Sequence, residues 1–299
     1  MDRLTLMQTF VAVAEEEGFA PAARRLGVSP PVVTRSIAAL EEHLGARLLE
    51  RTTRKVRVTE AGARYLGDCK RLLAEVEDVE AAVSGEHAKP RGMLGITASV
   101  MFGRLFVAQI LVDFLAKHPQ VTARALLIDQ VVDLMDEGLD VAVRIAKLSD
   151  STLTSAKVGT VRRVTCASPS YLKKHGTPRT PRELGEHRSF VFSAERSPPS
   201  WAFEHEGAAL SFRPRATLLV NSSEVGIDAA VAGAGITRAL SYMVAGHVRA
   251  GRLRVILEDY EADPIPIHVL YREGRRAPAR VRAFVDFAVA KLRADQALR

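Results

Sequence analysis

At the start of the chain, apolar positions recur at helical spacing. Leu6, Phe10, Val11, Val13 and Ala14 form one face, and Glu15-Glu16-Glu17-Gly18 closes it. A short second helix is predicted over 19–26, with Gly27 placed to end it. Ser29 then stands as a helix cap, and Pro30 takes the first helical position, where a missing N–H costs nothing. The third helix runs to about Leu44, before Gly45. Val33, Ile37, Leu40 and Leu44 form its apolar stripe, while Pro31, Thr34, Arg35 and Ala38 face the other way. The period then falls to two. Val56 and Val58 alternate with Lys55 and Arg57, and Arg51-Thr52-Thr53-Arg54 is the tip of a hairpin.

A longer helix follows from Thr59 to about Val83. Tyr65, Cys69, Leu72, Val76, Val79 and Val83 are spaced as a heptad seam, with charged residues on the other faces. At 1.5 Å per residue such a helix is a rod of roughly 37 Å. A core helix shows the same seam. Its place between a small unit and a separate domain favours a dimerising rod, over 59–86, in which Cys69 packs rather than acts as a redox switch. A polar hinge, 85–91, leads to alternating strands and helices. Strands are expected at 93–98, 121–128, 139–145, 161–167, 190–192, 235–240 and 267–271, with short strands in 201–220. Helices are expected at 102–117, 131–137, 168–175, 223–232 and 278–292. The sheets should be mostly parallel. Two lobes, 91–162 with 266–299 and 163–265, would leave a cleft at the strand ends.

Charge sharpens this picture. The chain of 299 residues has a net charge of +7, but the excess is local. Residues 47–57 hold five basic side chains against one acid, while residues 1–20 hold four acids against one base. Positive charge therefore gathers at the hairpin, beside a short outward helix face that suits a DNA major groove. The start of the chain is not a signal peptide, and no window is long and apolar enough to cross a bilayer, so the chain reads as cytoplasmic with no membrane partner. Cys69 and Cys166 are too few and too far apart for a disulfide framework or a metal site.

Several stretches resemble the LysR-type transcriptional regulators. Near the start these are 19–30 (Phe-Ala-Pro-Ala-Ala-Arg-Arg-Leu-Gly-Val-Ser-Pro), Ile37-Ala-Ala-Leu-Glu41, Leu44-Gly-Ala-Arg-Leu-Leu49, Arg51-Thr-Thr-Arg54 and Thr59-Glu-Ala-Gly62. The match is gap-free over about sixty residues; Pro31 departs from it, where the family has a small or polar residue. Weaker likeness continues in Leu139-Asp-Val-Ala-Val-Arg-Ile145, Ala167-Ser-Pro-Ser-Tyr-Leu172 and 228–237. The resemblance implies an α/β chain with an N-terminal winged helix-turn-helix over 1–58, a linker helix, and a two-lobed periplasmic-binding-protein-like effector domain over 87–299. It implies a sequence-specific regulator that binds double-stranded DNA, answers to a small-molecule effector and assembles as a homodimer or homotetramer, with RNA polymerase a further partner.

On that reading DNA is met by Ser29, Pro30, Pro31, Thr34 and Arg35, and by Arg51, Thr52, Thr53 and Arg54 on the wing. The family's effector site falls here on Ser99, Val100, Met101 and Phe102, where a helix N-terminus suits a carboxylate. Arg144 and Arg238 add charge, and Ser222 begins a helix on the opposite lobe. Bland alternatives stand beside these: Ser222 as a plain cap, Arg144 as the partner of a nearby acid. Met101 stands where relatives carry a hydroxyl, which leaves room for a more apolar ligand. Catalysis, cofactors and metals are not expected. Gly-x-Ser-x-Gly, a phosphate loop and His-Glu-x-x-His are missing, and the eight histidines are scattered. A stand-alone solute-binding protein is the rival for residues 91–299, and it would need export.

Overall fold

In a computed structural model, residues 2–51, 56–83, 89–148, 153–193, 199–272 and 277–298 are described. The chain divides into two units, Met1–Lys89 and Pro90–Arg299.

In the first unit, helices α1 (Arg3–Glu15), α2 (Phe19–Leu26) and α3 (Pro30–Leu44) pack around Phe10, Val13, Ala22, Val33, Ile37 and Leu40, none with exposed surface. Gly27 and Gly45 adopt φ of 67° and 64°, ending α2 and α3 in left-handed turns that an L side chain would strain. The buried stripe of α3 ends one turn earlier than its spacing suggests, since Leu44 is exposed. Strand β1 (Leu49–Arg51) pairs antiparallel with β2 (Val56–Val58), Leu49 opposite Val58.

Helix α4 (Glu60–Val83) begins where Thr59 accepts the Gly62 N–H at 2.9 Å and donates to the Arg47 carbonyl at 2.8 Å. Gly62 is required by a close approach: a Cβ there would lie 2.1 Å from the Leu48 carbonyl oxygen. The first turns of α4 lie on α1. The rings of Phe10 and Tyr65 are 5.7 Å apart, and Cys69 has no exposed surface. Glu15 of α1 accepts from both Lys70 and Arg25 at 2.7 Å. The seam expectation is corrected here. Cys69 is covered by its own chain, and Tyr65 is shared with that core, because the same spacing serves an intramolecular face.

The second unit runs through β3 (Gly92–Ala98), α5 (Val100–Phe102), a π-helical turn (Gly103–Val107), α6 (Ala108–Lys117), β4 (Val121–Leu127), β5 (Val141–Ile145) and β6 (Thr154–Val161). It continues with β7 (Arg163–Ala167), α7 (Pro169–His175), β8 (Ser189–Phe192), β9 (Trp201–His205), β10 (Ala208–Phe212), β11 (Ala216–Val220) and α8 (Ser223–Val231). Then come β12 (Ile236–Leu240), α9 (Ser241–Arg249), β13 (Arg254–Ile256), β14 (Ile265–Tyr271) and α10 (Ala279–Ala294). One five-stranded sheet has the order β4-β3-β5-β14-β6, the other β11-β8-β12-β7-β13. Each is mostly parallel with one reversed strand, β14 in the first and β7 in the second. Those are the strands that enter from the other lobe, at Arg162 and ahead of Ile265. The C-terminal ends of β3, β4 and β5 thus face a cleft bounded by the ends of β8, β11 and β12.

Three expectations change. Residues 131–137 form turns, not a helix, because the Asp133 carboxylate takes the Met135 N–H at 2.6 Å and Gly138 adopts φ of 62°. The strand expected at 161–167 is two strands, with β6 on the edge of one sheet and β7 inside the other. Helix α9 and strand β13 were not anticipated.

Candidate nucleic-acid interface and interlobe site

The outward side of α3 carries Ser29, Pro30, Pro31 and Arg35, all exposed, with Thr34 half-buried. Ser29 has the extended backbone of a cap, yet its hydroxyl makes no capping bond. The first α3 turn is closed by backbone instead, the Val32 and Val33 N–H groups donating to the Ser29 carbonyl. Arg51 ends β1, and Thr52, Thr53 and Arg54 lie outside the described residues. What ties this hairpin to α3 is Glu41, which sequence reasoning used only as a family mark. Its carboxylate accepts the Leu48 N–H at 2.8 Å and the Leu49 N–H at 3.0 Å, holding β1 to the last turns of α3.

The seam splits along α4. Leu72 is exposed and Val76 half-buried, whereas the side chains of Val79 and Val83 lie outside the described residues.

In the second unit, Ser99 and Val100 are partly open at the end of β3. The Val100 N–H is already taken: the Asp129 carboxylate, 29 residues on, accepts it at 3.1 Å. One N–H of that helix start is therefore engaged from within the chain. Phe102 has no exposed surface, and its ring meets Tyr242 edge-on at 5.4 Å, joining the lobes. Met101 is likewise buried. Tyr242 was missed by the sequence reading. Its hydroxyl is buried and lies toward Ser99 without closing a hydrogen bond.

Arg144 sits at the end of β5. It donates to Thr97 Oγ1 at 3.1 Å and to the Ile128 carbonyl at 3.4 Å, and makes no ion pair among the described residues. Burial pulls its pKa below the usual guanidinium range, against the charge of Asp129. Arg238 lies deeper, with its guanidinium over the Phe203 ring at 4.3 Å and donating to the Ala202 carbonyl. Its Nε is buried without a partner among the described residues. Burial, helped by the nearby charge of Arg163, lowers it to about 10 in spite of Glu261. Ser222 is half-exposed at the start of α8, and its side chain makes no capping bond. Groups of three or more His, Cys, Asp or Glu placed to hold a metal are absent among the described residues.

Comparison with known proteins decides the family. Residues 4–63 match the bacterial regulatory helix-turn-helix protein of the lysR family, and residues 87–293 match the LysR substrate binding domain. The chain belongs to the LysR family. An HTH-type transcriptional repressor of Pseudomonas aeruginosa is 33% identical over 97% of this chain and 92% of its own length. The Escherichia coli transcriptional activator AaeR is 31% identical over 96% and 93%. Among solved structures, the LysR-type regulator CrgA of Neisseria meningitidis superposes with a TM-score of 0.62 at 28% identity, covering 96% of this chain and 98% of CrgA. The Vibrio cholerae virulence activator AphB gives 0.62 at 27% identity over 97% and 99%.

As a LysR-type regulator, the protein is a DNA-binding transcription factor with a helix-turn-helix head and an effector-binding domain, and it oligomerises. Its relatives are regulators rather than enzymes. No described helix is long and apolar enough to cross a membrane.

Proposed function

We propose that the effector of this LysR-type regulator is a small, partly apolar carboxylate bound between the lobes, with Arg144 as its anchor. The observation that carries this reading is the state of Arg144. It is a half-buried guanidinium held by two neutral oxygens and facing one carboxylate, Asp129, already engaged by a backbone N–H. A cation desolvated in advance and left without an ion pair gains most from an incoming anion. Ser99 and Val100 on one lobe and Ser222 on the other border the cleft, and the Tyr242 hydroxyl lies beside Ser99 with no partner in hydrogen-bond geometry among the described residues. Arg238 contributes field from beneath the β9–β10 hairpin, while Met101 and Phe102 shape the wall from behind. Binding favours one arrangement of the lobes, and it acts on DNA only through a difference in affinity between arrangements, typically about 1–3 kcal/mol.

On the DNA side, Arg35, Thr34 and Pro31 meet base edges, with Ser29 and Pro30 at the helix start. The wing, Arg51 to Arg54, takes phosphates or the minor groove. Leu72, Val76, Val79 and Val83 carry the self-association of α4, in a dimer or tetramer; RNA polymerase is the partner at the promoter. A thermal-shift screen of aliphatic and aromatic carboxylates on the full-length protein tests the effector reading. A stabilising acid whose effect vanishes in Arg144→Gln supports it, and an acid that stabilises both proteins alike refutes it.

A further inference from the structure

A recess opens beside Met101 and Tyr242. It has a volume of about 790 Å³ and lies among α5 and the π-helical turn after it, helices α8 and α9, and the residues after α10. That size is ordinary for a ligand site. Its floor is apolar, from Leu105, Phe106, Ile227 and Met243. Tyr242 lines it, with its ring packed against Phe102 at 5.4 Å and Phe106 at 5.7 Å. His247 also lines it, and its Nδ1 is buried with no hydrogen-bond partner among the described residues. Buried polar atoms are nearly always satisfied, so an orphan in the lining of a cavity points to a missing partner.

The rim is charged with both signs. Arg104 and Glu224 neutralise one another across the lobes at 2.5 Å. Arg249, Arg252 and Asp228 also line it; all three are exposed, and their charged groups make no hydrogen bond or ion pair among the described residues. Asp295 spends one oxygen on the Ala297 N–H at 2.9 Å. Arg249 and His247 stand in the last turn of α9, and Arg252 follows close behind, so the cationic side gathers at one end of the recess. Asp228, on α8, borders it from another element.

We propose that this recess is a second ligand site, for a small zwitterion with an apolar side chain, of the amino-acid class. Its carboxylate meets Arg249 and Arg252, its ammonium meets Asp228, and its side chain covers Leu105, Phe106 and Met243. A zwitterion offers an opposite charge to both the arginines and Asp228, where a singly charged ligand matches only one side. Occupancy bears on the cleft through Tyr242, whose ring lines the recess while its hydroxyl lies toward Ser99. The recess shares Met101 and Tyr242 with the cleft wall, but its charged residues, Arg249, Arg252 and Asp228, differ from the cleft's Arg144, so the two readings are tested separately.

Calorimetric titration of the full-length protein with L-phenylalanine and L-leucine tests this. Saturable binding is expected at millimolar concentration or below, with 3-phenylpropionate and phenethylamine weaker by about tenfold or more, the loss expected for one unmatched charge. Gly246 lines the recess and has open space around its Cβ position, so Gly246→Leu adds bulk to the lining without a clash. That variant, and the double variant Arg249→Gln with Arg252→Gln, should each weaken binding by about tenfold or more. Arg144→Gln, in the cleft, should leave it unchanged. No binding of either amino acid, unaltered binding in Gly246→Leu, equal binding of 3-phenylpropionate, or loss in Arg144→Gln would each overturn the proposal.

Discussion

Glu41→Ala is the most informative change in the DNA-binding unit, because two simple arguments predict opposite results. Removing an acid from a DNA-binding head weakens repulsion from phosphates and should tighten binding. Here the carboxylate instead holds the start of β1 to α3 through the Leu48 and Leu49 N–H groups, at 2.8 and 3.0 Å. Leu48 and Leu49 are 2% and 5% exposed, so water reaches the freed N–H groups poorly. A hydrogen bond to a charged group contributes about 1.5–3 kcal/mol, and Glu41 is partly open to solvent, so a net loss of about 2 kcal/mol in stability is expected. The wing would lose its fixed distance from α3, and phosphate contacts from its basic tip would be lost or blurred. Operator affinity should fall, and the slope of log affinity against log salt should flatten by about one unit. Glu41→Gln keeps one acceptor and removes the charge, so it should recover part of both effects. Urea unfolding and fluorescence-anisotropy titrations across salt concentrations measure the two quantities. Tighter binding by Glu41→Ala, or weaker binding with an unchanged slope, would refute the positioning role.

Other consequences follow from single contacts. Gly62→Ala puts a Cβ 2.1 Å from the Leu48 carbonyl, so the melting temperature should drop steeply, by the equivalent of more than about 2 kcal/mol, with the wing lost first. Phe102→Ala removes a fully buried ring from the lobe junction and should cost about 3–5 kcal/mol of effector-domain stability, read by chemical unfolding. Arg35→Ala should cost about 1–3 kcal/mol on the operator and much less on random duplex, read by competition gel shift; equal losses would make it a phosphate contact. Burial alone would raise the Glu15 carboxyl, but hydrogen bonds from Lys70 and Arg25 outweigh it and hold its pKa below 4.5. A group lowered on folding stabilises above its unfolded pKa. The link between α1, α2 and α4 should therefore be intact at neutral pH and weaken as pH falls below about 4.5, and Glu15→Gln should flatten that acid limb.

Much of this was legible in the amino-acid order, where local rules and tertiary demands agreed. Gly27 and Gly45 end their helices because the left-handed turn needs them, and the stripe of α3 is buried through Leu40. The reading failed where one pattern serves two environments. The heptad spacing of Tyr65 and Cys69 cannot distinguish a partner helix from α1 of the same chain. Residues 131–137 look helical, yet Asp133 turns the backbone through its own side chain. Helix α9 hides because Gly246 interrupts its pattern. The interlobe site was legible only as a place. Asp129 on Val100, Thr97 on Arg144, and Tyr242 beside Ser99 are long-range pairings that no local spacing announces.

The central claim is that a helix-turn-helix head reads DNA while a cleft anchored by Arg144 changes how it does so. The most direct test is a footprint of the full-length protein on the DNA upstream of its own gene, with and without a carboxylate that stabilises it. The account predicts a protected operator whose boundary or bend-sensitive cleavage shifts with the acid in the wild type, and the same operator without the shift in Arg144→Gln. A carboxylate that binds through Arg144 yet leaves footprint and transcription unchanged would contradict it.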